Sequence, residues 1–210
     1  MLCSRHLSEE WALGATALSI GGAVSRRPEA NVVSEPRVVA TSKIREAWPP
    51  ISEDEVELPS GARRRWIRIH YGTSAAVLAV TKEKQVLLTR EYRHGLGRVV
   101  VSLPGGVAHD GETAEVCARR ELLEETGYDA SRLLEMYTGN SLTGYLEGML
   151  HLFFTRDPRP TGRRPNPDEV ASLERVSVTQ ALADARSGAF ESTVVTLAIL
   201  MADARGWLVA

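Results

Sequence analysis

The sequence predicts a single domain of the α+β kind, a mixed-sheet sandwich. Three observations predict it. At 210 residues, 43% of them hydrophobic and 25% charged, the chain can bury a core without disulfides or a structural metal. Short β-rich segments recur along it, broken by three helical stretches, the last two of them amphipathic. These follow no regular βαβ alternation, so a doubly wound parallel sheet is not expected.

Each element has its own signal. Residues 65–70 (RWIRIH) alternate like a half-buried strand. Residues 74–80 and 85–91 are β-rich, with 81–84 as the turn between them. Residues 98–103 (RVVVSL) form a further strand, stopped by Pro104-Gly105-Gly106. The span 112–126 reads as a helix with Gly127 as its C-terminal cap. Strands follow at 133–137 and 149–156, then a Pro-rich charged loop over 157–168 (DPRPTGRRPNPD). A strand at 172–178 and amphipathic helices at 179–187 and 191–205 complete the plan. Residues 1–36 differ in character. Their apolar stretch 11–24 lacks a basic leader, carries Glu9 and Glu10 before it and is broken by Gly and Ser, so it reads as a poorly ordered extension rather than a signal peptide.

Composition excludes several classes. Lys and Arg total 25 against 27 Asp and Glu, for a net charge of -2. That balance gives no reason to expect a nucleic-acid or membrane-surface partner. No apolar run approaches the ~18–20 residues that span a bilayer. Two cysteines, Cys3 and Cys117, make neither a disulfide framework nor a zinc cluster, which favours a reducing cytoplasm.

The chemistry concentrates in residues 106–128, GVAHDGETAEVCARRELLEETGY. At ~100° per residue, Glu121, Glu124 and Glu125 fall within about 100° of one another on a helix, with Arg120 on the same side. Like charges so placed repel. A hard divalent cation removes that penalty, and Mg²⁺ or Mn²⁺ takes such oxygen ligands. Ala118 and Leu122 on one flank and Val116 and Leu123 on the other let the helix pack while presenting its acids to a cleft. The Pro-Gly-Gly turn before it can bring up a backbone carbonyl as another ligand. A plain solvated acidic face has the same helical geometry.

The residues also carry a family pattern. Gly106, five residues, Glu112, seven residues, then Arg120-Glu121-Leu122-x-Glu124-Glu125-x-Gly127-Tyr128 resembles the Nudix box, departing only at Tyr128, where a bulky aliphatic residue is usual. Average residue frequencies give a chance match on the order of 10⁻⁶ over this length, which decides against coincidence. The resemblance implies a Nudix α/β/α sandwich, a mixed sheet between helices. It implies a Mg²⁺-dependent hydrolase of a nucleoside diphosphate linked to another group, with Mn²⁺ able to substitute. Glu121, Glu124 and Glu125 would bind metal, Gly105 would lend its carbonyl, Glu112 would brace loop and helix, and Arg120 would orient a glutamate.

The resemblance extends over roughly residues 37–205. Glu91-Tyr92-Arg93 resembles the QYR-type segment of the ADP-ribose pyrophosphatase branch, implying that Arg93 binds phosphate; a surface ion pair is the alternative. Trp66 lies where some relatives stack a tryptophan on adenine; plain packing is the alternative. Glu169, at the end of the Pro-rich loop, matches the place of a late-loop glutamate acting as base or extra metal ligand, with a solvated loop charge as the alternative; the base could instead be Glu125 or a metal-bound hydroxide. Two departures concern substrate recognition: Ser102 replaces a usual glutamate, and the loop 142–148 lacks a proline and keeps only Glu147 of an acidic pair. Relatives of this branch are commonly homodimers, which would make 37–70 an assembly element ahead of a catalytic domain over 71–210. His70, His94, His109, His151 and Cys117 read as packed or solvated residues, and Arg163-Arg164 as a solvated pair that could steer an anion.

Overall fold

The computed structural model describes residues 35–166, 170 and 172–208. Its elements are β1 (Arg37–Arg45), β2 (Ile51–Glu57), β3 (Arg63–Val80), β4 (Gln85–Arg93), β5 (Arg98–Ser102), β6 (Gly105–Val107), α1 (Ala114–Thr126), β7 (Tyr128–Asp129), β8 (Leu134–Gly139), β9 (Leu146–Arg156), β10 (Arg159–Pro160), β11 (Ser172–Ser177), α2 (Val178–Ser187) and α3 (Thr193–Ala204). Residues 1–34 of the 1–36 extension and the late-loop Asp168 and Glu169 lie outside the described residues.

Strand β3 organises the domain. Its final residues, Ala75 to Val80, are all buried, because both faces of the sheet are covered. Ala75, Val77 and Ala79 join Leu87, Phe153 and the α1 residues Cys117, Ala118 and Leu122 in one core layer. Ala76, Leu78 and Val80 join Val86, Leu88, Leu152, Phe154 and the α2–α3 residues Ala181, Val195 and Ile199 in the other. Strand alternation sends successive side chains to opposite layers. The result is the expected helix/sheet/helix sandwich. The sheet is mixed: β9 runs parallel to β3 from Ile69 to Val80, while β2, β4 and β6 pair with β3 antiparallel.

Two features differ from the sequence expectation. Residues 65–70 and 74–80 belong to one strand of 18 residues, with an irregularity between His70 and Gly72 in its pairing with β9. Gly105 and Gly106 do more than stop a strand. They begin β6, which pairs with Ala76 and Ala75 of β3. A Cβ at Gly105 would overlap the Ala75 carbonyl and lie 2.7 Å from Ala76 Cα, so only glycine fits this close backbone approach.

The N-terminal third of β3 leaves the core and pairs with β2, which pairs with β1. This three-stranded arm is held by Arg63–Glu55, Arg65–Glu53 and Arg37–Glu57 ion pairs. It exposes Val38, Ile44, Trp48, Trp66 and Ile67.

Candidate active site

Helix α1 begins at Thr113, whose hydroxyl accepts the Val116 N–H at 3.3 Å. It ends at Gly127, which adopts φ 73° and returns its N–H to the Leu123 carbonyl. Both caps are of the kinds that satisfy orphan helix-end groups. Cys117, Ala118 and Leu122 anchor one face in the core. Val116, expected to flank that face, is exposed instead. The anchored face turns Glu125 into the protein, and it is buried.

Arg120 is the hub of the acidic side. Its Nε and Nη2 donate to the two carboxylate oxygens of Glu112, each at 2.9 Å. Its Nη1 donates to Glu121 at 2.7 Å and to Glu124 at 3.3 Å. Glu112 in turn accepts the His109 N–H at 2.8 Å. The bidentate pair holds the Glu112 carboxyl down at about 2, with the His109 N–H adding to the effect. It equally holds the Arg120 guanidinium above its ordinary value. One guanidinium thus ties Glu112, in the loop before the helix, to two of the three helix glutamates.

Glu125 is held differently. Its Oε2 accepts the Gly105 N–H at 2.8 Å. Burial pushes its carboxyl up to about 8; the Glu91 and Glu121 charges add to the rise, and the Gly105 hydrogen bond and Arg93 oppose it. Glu91 is also buried and shifted upward, chiefly by burial. It accepts from the Thr89 hydroxyl and pairs with Arg93 at 2.6 Å. Gly106 faces Glu121 so closely that a Cβ there would overlap the carboxylate.

The motif reading gave Glu91 no role of its own. The signal for one was available: Leu87, Thr89, Glu91 and Arg93 alternate onto one face of β4, and Leu87 packs in the α1 layer. A glutamate on that face must enter the site. Arg93, also on that face, donates to Ser102 at 3.0 Å. The structure therefore brings Arg93 to the carboxylates, where its charge acts on Glu125. It does not bring Trp66, which sits on the arm half-exposed, about 30 Å of extended strand from Ala76. Glu147 faces the base of the arm, pairing with His70 at 2.5 Å and Arg68 at 3.7 Å. Cys117 is buried, and burial pushes its thiol up to about 11, away from nucleophilic use.

The NUDIX domain model matches residues 70–195. The chain belongs to the Nudix family. An ADP-ribose pyrophosphatase of Bacillus subtilis (strain 168) is 35% identical to it over 127 residues, 60% of this chain and 68% of that protein. A methanol dehydrogenase activator of Bacillus methanolicus is 28% identical over 131 residues, 61% of this chain and 71% of that protein. A crystal structure of an ADP compounds hydrolase superposes with a TM-score of 0.72 at 18% identity, covering 85% of this chain and 97% of that one. At that identity the likeness concerns the fold, and it agrees with the Nudix sandwich seen here.

The Nudix helix offers a donor set suited to a divalent cation: carboxylate oxygens, one of them buried against Glu91 with only partial charge compensation. Among the described residues, no three His, Cys, Asp or Glu side chains converge on one point as they stand. As they stand, Glu121 and Glu124 both pair with Arg120.

Proposed function

We propose that this chain is a divalent-metal-dependent ADP-ribose pyrophosphatase, cutting ADP-ribose with water into AMP and ribose 5-phosphate. At the coarser level it is a Nudix hydrolase of the nucleoside diphosphate-sugar pyrophosphatase class. One observation carries the reading: Glu121 and Glu125 meet the Gly105–Gly106 start of β6 beside Glu91, with Arg93 on the same face. Glu121, Glu124, Glu125 and the Gly105 carbonyl would hold the ion, Mg²⁺ with Mn²⁺ as substitute.

When bound, that ion supplies neutralisation of the diphosphate and acidifies the attacking water. The protein's own groups do the rest. Arg93 binds a phosphoryl oxygen, its guanidinium fork matching that geometry. Glu125, ionised once a cation offsets the like charge of Glu91 and Glu121 beside it, would take the proton of the attacking water as phosphorus gains the new P–O bond and loses the anhydride oxygen. The Gly105 N–H keeps it in place. Glu112 and Arg120 fix the helix against the loop, so the rearrangement left to cation binding is that of the Glu121 and Glu124 side chains. Glu169 is the competing base.

The arm supports assembly as a homodimer. Its exposed Val38, Ile44 and Trp48 are apolar surface of the kind buried between subunits, and its length would carry Trp66 to the site of a second copy. A reducing cytoplasm suits the free, buried Cys117.

The test is product analysis on ADP-ribose, other nucleoside diphosphate sugars, dinucleotides and nucleoside triphosphates with Mg²⁺, Mn²⁺ or EDTA. ADP-ribose should yield AMP, EDTA should abolish turnover, and Glu125→Gln should lower kcat by ~10²–10⁴. A loss confined to Glu169→Gln would move the base to the late loop. Turnover confined to another nucleoside diphosphate sugar would keep the mechanism and change the substrate. ADP-ribose binding without any turnover would make the chain a sensor.

A further inference from the structure

The Pro-rich loop after β9 is tied to the end of the Nudix helix. β10 pairs with β7 through Arg159–Asp129 and Pro160–Tyr128. The Thr161 N–H and hydroxyl both donate to the Gly127 carbonyl at 2.9 Å. The same hydroxyl accepts the Arg163 N–H at 3.2 Å, and the Arg163 carbonyl lies against Gly127 so closely that a Cβ there would overlap it. This fixes the Arg163 backbone at the helix end while its guanidinium stays half exposed. Arg163 Nη2 donates to Glu124 Oε1 at 3.3 Å, and Arg120 Nη1 donates to the other oxygen. A cavity of about 180 Å³ opens beside this pair, lined by Glu124, Arg163, Arg164 and Asn166.

We propose that Arg163 is a substrate-binding residue: it leaves Glu124 for a phosphoryl oxygen of the diphosphate when Glu124 takes a divalent cation, and the cavity beside it receives that oxygen. The proposal rests on the metal-dependent reading above and adds to it a residue and a subsite. The physical reason is a charge exchange. A cation on Glu124 repels a guanidinium a few ångströms away, and a diphosphate arriving with that cation attracts it. The pinned backbone makes the exchange a side-chain rotation alone. A guanidinium fork suits two phosphoryl oxygens better than the single Glu124 oxygen it now contacts. Arg164 adds positive charge to the same cavity.

The exchange predicts opposite effects on metal and substrate, which a merely structural or steering role would not produce. Mn²⁺ binding to the full chain, free of substrate, is titrated for wild type, Arg163→Ala and Arg163→Lys, with thermal melts to show that each folds. Arg163→Ala should bind Mn²⁺ roughly 2–5-fold more tightly, because Glu124 loses a competing partner. The same variant should bind inorganic pyrophosphate about tenfold more weakly in the presence of Mn²⁺, and should raise KM for ADP-ribose similarly with kcat within about twofold. Arg163→Lys, which keeps the charge and loses the fork, should recover part of the pyrophosphate affinity. Mn²⁺ affinity that is unchanged or weaker in Arg163→Ala overturns the proposal, as does unchanged pyrophosphate affinity. Absence of turnover by the wild type would defeat the assigned reaction, while the Mn²⁺ and pyrophosphate titrations would still decide the role of Arg163.

Discussion

Replacing Glu125 by Gln should stabilise the metal-free protein at alkaline pH while removing its activity. The carboxyl is buried against Glu91, and its pKa rises from 4.5 to about 8 on folding. The folded chain therefore holds a proton that the unfolded chain releases. Stability contributed by this proton is complete below pH 4.5 and is lost as pH rises through 8. At 1.36 kcal/mol per tenfold change, the full loss is about 5 kcal/mol. Water entering the cleft screens part of it, so we expect Glu125→Gln to gain about 2–4 kcal/mol at pH 8.5. At pH 5 both side chains are neutral in the fold, and the difference should fall below about 1 kcal/mol. The amide oxygen of Gln can still accept the Gly105 N–H, so the hydrogen bond seen at 2.8 Å is retained. Urea unfolding in EDTA at pH 5 and pH 8.5 measures both values. Equal differences at the two pH values, or a less stable variant at pH 8.5, would refute the account of a carboxyl buried beside like charge.

Three further outcomes follow from the packing. Gly106→Ala should fold with little change in melting temperature yet bind Mn²⁺ far more weakly, since the new methyl displaces only the end of the Glu121 side chain; an unchanged Mn²⁺ titration would count against Glu121 as a ligand. Glu112→Gln should cost about 1–2 kcal/mol at pH 7 by breaking the bidentate pair with Arg120. Because the Glu112 carboxyl is held at about 2, that stability is present above pH 4.5 and fades as pH falls toward 2, so unfolding at pH 2 should scarcely separate variant from wild type. Leu122→Ala removes a fully buried side chain from the α1 layer and should lower stability by about 2–5 kcal/mol in denaturant titration, at any pH and with or without metal.

The helix and its chemistry were legible because they are local. Thr113 and Gly127 cap α1 through contacts three or four residues away, and the 3.6-residue repeat alone groups the three glutamates with Arg120. The motif assigns Glu112 a bracing role and Arg120 an ion pair with a glutamate, and the two side chains pair with each other at 2.9 Å. Most strands after residue 70 lay within a few residues of their expected limits, since runs such as 75–80 are apolar on both faces and must be covered twice. Legibility failed where partners are distant in sequence. The role of Glu91 depends on Glu125, far along the chain on another element, and that of Arg163 on a loop pinned to Gly127.

The sequence by itself determined the family, the acidic helix and the kind of cation it suits, because side-chain spacing on a helix follows from the chain alone. Only the tertiary structure decided which carboxylates share the site, that Arg93 joins them, that Trp66 stands far off on an arm, and that Arg163 reaches Glu124. Those neighbours are set by strand register and loop docking, which depend on contacts between remote segments.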